Sequence, residues 1–229
     1  MKSSVQDQLL TWPRLAWLSA ALAGIVAPAT AMLVLVDASA PASFASFGGP
    51  ILAIGLMGAG MIAAAAAGRL WIGVLLAILT GTGLTLLAHA LGVPTLPHLL
   101  GIGLAIFIAS ISFSARGALF AKSAKGKGWW IALAVVAGEA AVVLTAAAEP
   151  GVWPDWLLAL LPAQWANMAI QATLNGTGAL AARSALIALG GTAAATLFVT
   201  RLWPRRWPYL IMFTTWLGLA ALVYHYPHF

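Results

Sequence analysis

Seven apolar stretches, each close to the length that crosses a bilayer, constrain this chain more than any other feature. They run roughly through 15–36, 48–68, 70–91, 97–115, 129–148, 179–200 and 207–225. A membrane helix needs about 20 mainly apolar residues to cover about 30 Å of hydrocarbon. Composition closes off the soluble alternative. Of 229 residues, 62% are hydrophobic and 7% charged, whereas a soluble domain carries about 25% charged residues. So few charges leave a water-facing surface of this size uncovered, and the surrounding solvent must be lipid. The expected fold is therefore all-α: a polytopic integral membrane helical bundle of about seven transmembrane helices. Its connections are short and marked by Pro or Gly, so residues 1–229 read as a single transmembrane domain.

The basic residues orient the bundle. Lys2 and Arg14 precede the first span, and Arg69 lies between the second and third. Arg116, Lys122, Lys125 and Lys127 lie between the fourth and fifth, and Arg201, Arg205 and Arg206 between the sixth and seventh. With seven spans these ten fall on one side, and Arg183 is the exception. Lys and Arg in short loops mark the cytoplasmic face, which places the N-terminus inside and the C-terminus outside. Ala29-Thr30-Ala31 resembles a signal-peptidase site, but the apolar run continues to Val36, so an uncleaved signal anchor is expected. The location implied is a bacterial inner (plasma) membrane.

The same parity governs residues 153–175. As an eighth span they would put Arg201, Arg205 and Arg206 outside, and they carry Pro162, Gln164, Asn167 and Gln171. One helix near 155–173, lying in the outer interface or partly re-entrant, is expected instead. Asn175-Gly176-Thr177 matches a glycosylation sequon, yet reads more simply as a polar break before the sixth span.

Glu139 is the residue this plan does not explain. It sits in VVAGEAAVV, and no other charge occurs within 129–148. An acid at bilayer mid-depth costs about 2.5–3.5 kcal/mol on insertion scales. Protonation, or a polar cavity, must relieve that cost. The partners expected are Thr80, Thr82, Thr85, Ser110, Ser112, Ser114, Thr214 and Thr215, with no Lys or Arg at its depth. Intramembrane acids are functional candidates, which makes Glu139 the candidate proton or cation site.

Other features carry weaker readings. His89, His98, His225 and His228 all fall on the outer face, with Asp37, Glu149 and Asp155. Imidazole and carboxylate suit a transition metal, so these histidines form a candidate metal site, although no single helix shows ligand spacing. In SARGALFAKSAKGKGWW, the side chains of Arg116, Lys122, Lys125 and Lys127 are expected to contact lipid headgroups. Gly- and Ala-rich faces, Gly55, Gly58 and Gly60 in the second span and Ala185, Ala188, Gly191, Ala194 and Ala195 in the sixth, allow close helix packing or docking of other membrane subunits.

Several chemistries are excluded. The chain has no cysteine, hence no disulfide or thiolate site. It has no GxxxxGK[ST] phosphate loop and no GxSxG elbow. No lysine lies in a span to form a Schiff base. The net charge of +6 reads as attraction to lipid rather than nucleic acid. No catalytic constellation emerges, so a role other than enzyme is favoured. Three functions remain: a small transporter or proton/cation-handling protein using Glu139; a non-catalytic subunit or assembly factor of a larger membrane complex; and a membrane metalloprotein using the outer histidines.

Overall fold

The computed structural model describes residues 13–37, 41–92, 99–124 and 126–226. Among them no strand occurs, and seven helices are long and apolar enough to cross a membrane. The long helices are α1 (13–37), α2 (41–67), α3 (Leu70–Ala90), α4 (Leu99–Ser123) and α5 (Gly128–Ala148). Two short helices follow, α6 (Asp155–Ala159) and α7 (Pro162–Leu174). The last pair is α8 (Arg183–Leu202) and α9 (Pro208–His225). The protein is thus a multi-pass, all-helical membrane bundle.

α2 is the core of that bundle: 89% of its spanning window is buried, against 17% for α9. Small side chains make this possible, because lipid supplies no hydrophobic drive and helices associate through close contact. α1 and α2 each contain one π-turn, Leu22–Val26 and Gly58–Ile62, and these two turns meet. Ala27 N–H reaches back five residues to the Leu22 carbonyl just before Pro28, whose missing N–H disturbs the ladder anyway. A Cβ on Gly58 would lie 2.7 Å from the Ala23 carbonyl oxygen, and one on Gly24 would lie 2.8 Å from the Ala59 backbone nitrogen. Only glycine permits that approach. The small residues of α8 are also spent inside the chain: Ala185, Ala188 and Ala195 are buried, and Gly191 faces Leu219 of α9. The close packing expected of these Gly- and Ala-rich faces is in large part internal contact, while Ala194 is exposed.

Two further expectations change. The fourth helix continues through Ser123, two turns beyond the apolar run that suggested 97–115. Ala118, Leu119 and Phe120 follow the charge at Arg116 and keep the helix inside the bundle. Residues 155–173 do not form one helix in the outer interface. They form two, α6 and α7, bent at Leu160–Leu161. α7 buries Pro162, Ala163, Trp165, Ala166, Ala169, Ile170 and Thr173 against α2, α4 and α8. Its 13 residues span about 20 Å at 1.5 Å each, too short to cross. The Trp165 indole N–H donates to the Ala159 carbonyl at 2.8 Å and pins the bend. The Gly49 N–H donates to Gln171 Oε1 at 3.0 Å and ties the far end of α7 to α2. The segment packs into the bundle rather than lying on its surface. Besides that tie to α2, Asn167 Nδ2 donates to Gln164 Oε1 within α7, and Asn167 Oδ1 is buried without a hydrogen-bond partner among the described residues.

Candidate functional site

Pro162 opens α7 and has no N–H; Leu161 before it offers no side-chain cap. The N–H of Ala163 is therefore an orphan donor at a helix N-terminus, deep in a membrane protein, where leaving it unpaired is costly. Glu139, midway along α5, supplies the acceptor: the Ala163 N–H donates to Glu139 Oε2 at 2.8 Å. A carboxylate at this end also complements the helix dipole. Glu139 caps a helix 24 residues away in sequence.

The second carboxylate oxygen faces a cation. Arg116 Nη1 lies 3.9 Å from Glu139 Oε1, and the two side chains are 15% and 11% exposed. Among the described residues this carboxylate is the one polar partner of the Arg116 guanidinium, and the contact is longer than a hydrogen bond. Two expectations are corrected here. Arg116 does not reach out to lipid headgroups; it turns into the bundle because α4 carries it past α5. And a basic residue does stand at the depth of Glu139, since the arginine side chain is long enough to reach it. The Ser and Thr hydroxyls expected as partners do not bond to Glu139: Thr85 donates to Gly81, Thr214 to Leu210, Ser112 pairs with Thr192 at 3.4 Å, and the Ser110 and Ser114 hydroxyls are buried without a hydrogen-bond partner among the described residues. The signal for Arg116 was present in the sequence, in the apolar residues that follow it.

Arg116 and Glu139 line one end of a cavity of about 380 Å³. Leu119 and Phe120 of α4 and Val135 of α5 form one side. Met212, Phe213 and Trp216 of α9 form another, Leu160–Pro162 at the bend add to the wall, and the hollow is open on one side. Thr192 and Thr196 of α8 add hydroxyls, which already donate to the Ala188 and Thr192 carbonyls at 2.8 and 2.7 Å. A second pocket, of about 580 Å³, lies on the other side of the same bend, lined by Leu158, Ala159, Gln164 and Met168 with Asp155, Tyr224 and His225. The α6–α7 bend thus stands between two hollows, both walled by α9.

The remaining candidates do not join this site. Lys122 is exposed and donates to the Thr200 carbonyl at 2.7 Å, in the last turn of α8. Lys127 is exposed in the loop, and Lys125 lies outside the described residues. His89 ends α3 and His225 ends α9, both exposed, with the His225 ring edge-on to Tyr224 at 5.1 Å. His98 and His228 lie outside the described residues, and among the described ones no three His, Asp or Glu side chains gather as metal ligands.

Fold and site together define a multi-pass membrane protein with a buried Arg–Glu pair beside an apolar cavity. No protein-family model, curated protein or solved structure matches the chain.

Proposed function

We propose that this protein is a small transporter that moves its substrate together with a proton, with Glu139 as the proton-accepting group. The observation that carries this reading is the convergence at Glu139. A buried arginine, the N-terminus of a re-entrant helix and a ligand-sized cavity all meet its carboxylate. Interrupted helices whose ends meet charged groups at mid-membrane are the usual architecture of substrate sites in secondary transporters. The bend between two hollows supports the same reading, since a shift of Leu160–Pro162 relative to α9 would join them.

Vesicles containing the purified chain and a trapped pH-reporting dye test this. Under an inward acid gradient they are offered a panel of small organic anions, cations and neutral solutes. At least one solute should carry protons in faster than into empty vesicles, and Glu139→Gln should return that rate to the empty-vesicle value. No response from the unaltered chain, or an equal response from Glu139→Gln, overturns the reading.

A further inference from the structure

We propose that the cavity beside Arg116 takes a small organic monoanion with an apolar body, and that the anion enters only with a proton accepted by Glu139. This rests on the transport reading above and names its substrate class.

Charge counting selects the anion. Arginine does not lose its proton in a protein. With Glu139 ionised, the pair is neutral. A proton alone would leave Arg116 as an uncompensated cation. An anion alone would leave one excess negative charge, and an added cation one excess positive charge. Each is an unpaired charge in a desolvated site, the most costly arrangement available there. Proton and anion together restore neutrality: Glu139 becomes a neutral acid and the anion pairs with Arg116.

The donor agrees with the count. The Arg116 guanidinium lines the cavity and offers a planar fork suited to a carboxylate. Glu139 now stands 3.9 Å from it. An incoming carboxylate therefore competes with Glu139 for Arg116. Leu119, Phe120, Met212, Phe213 and Trp216 leave apolar walls for the rest of the molecule. About 380 Å³ is near the lower end of ligand pockets, so the body is small. Among the described residues no further titratable group lines the cavity. α2, α5 and α7 contribute none besides Glu139. α4 adds Lys122 near its end, α8 carries Arg183 and Arg201 at its ends, α6 carries Asp155 at its start, and α9 carries Tyr209, Tyr224 and His225 at its ends.

The test uses the full chain in lipid nanodiscs and three probes of nearly one shape: phenylacetate, 2-phenylethanol and phenethylamine. Calorimetry in buffers of differing ionisation heat reads affinity and proton count together. Phenylacetate should bind with about one proton taken up, and the neutral and cationic probes at least roughly tenfold more weakly. Glu139→Gln removes the competing carboxylate, so phenylacetate should bind roughly tenfold tighter, take up no proton, and raise the melting temperature of that variant. The double variant Arg116→Gln with Glu139→Gln should bind none of it. If Glu139→Gln does not fold, the proton count and probe ranking of the unaltered chain still decide. A preference for phenethylamine, anion binding without proton uptake, or unchanged affinity in Glu139→Gln overturns the proposal. Proton flux in vesicles that needs Glu139 and follows a cation would remove the anion and leave transport standing. Proton-linked phenylacetate binding with no such flux would do the reverse.

Discussion

Arg116 and Lys122 stand six residues apart on α4 and belong to different worlds. At 1.5 Å per residue Lys122 lies about 9 Å nearer the end of the helix. There it caps the Thr200 carbonyl, an orphan acceptor in the last turn of α8, with its ammonium exposed. Arg116, deeper, is held 3.9 Å from a carboxylate that also caps α7. In sequence both are cations of one basic segment. The difference shows that a run of positive charges near a span is not a uniform surface. Depth along the helix and rotation about it assign one charge to an exposed helix end and another to the core.

The sharpest way to break this comparison is to delete each cation. Arg116→Ala should cost about 3–5 kcal/mol, because it leaves the Glu139 charge buried without compensation. Adding Glu139→Gln to it should recover most of that loss, since removing a whole buried pair is often close to neutral. Unfolding in mild detergent by added denaturing detergent measures both. A loss under about 1 kcal/mol for Arg116→Ala, the value for an exposed charge, would make the two cations equivalent.

A smaller effect isolates the helix cap. Ala163→Pro removes the N–H from which Glu139 accepts, at a first-turn position where a helix tolerates proline. It also adds ring carbons at a fully buried site, so Ala163→Val serves as the control for added bulk with the N–H kept. The expected loss beyond that control is about 1–3 kcal/mol, the cost of an unsatisfied partner, in the same unfolding assay. Equal stability of the two variants would show that Glu139 is held by Arg116 alone.

The smallest effect belongs to Lys122. Its bond to Thr200 is partly exposed, and Lys122→Ala should cost no more than about 1 kcal/mol. A larger loss would mean that the end of α8 depends on this cap, and would narrow the contrast with Arg116.

How much of this was legible in the chain varies with the residue. The last span was expected at 207–225 and is Pro208–His225, because flanking Arg, Trp and Pro mark its start. The fourth was cut short at 115 because a charge looks like the end of a span; the apolar face of ALFA beyond it belongs inside the bundle. Glu139 stood out at once as an acid with no charged neighbour in its own span. Its partners did not, because Arg116 and Ala163 lie on other helices, and no periodicity within one helix says which neighbour it will face. The re-entrant segment was legible as polar and too interrupted to cross. Its burial was not, since Gln171 takes the Gly49 N–H of α2, far away in the chain.

By itself, then, the sequence determined the seven apolar lengths, the side on which the basic loops gather and the anomaly at Glu139. Those follow from transfer free energies and charge counts that add residue by residue along the chain. Only the tertiary structure decided that Arg116 turns inward, that α7 begins against Glu139, and that a cavity remains between α5 and α9. Each of these depends on how helices rotate and how closely they approach, and that is fixed by packing between residues far apart in the chain, at contacts such as Gly24 against Ala59.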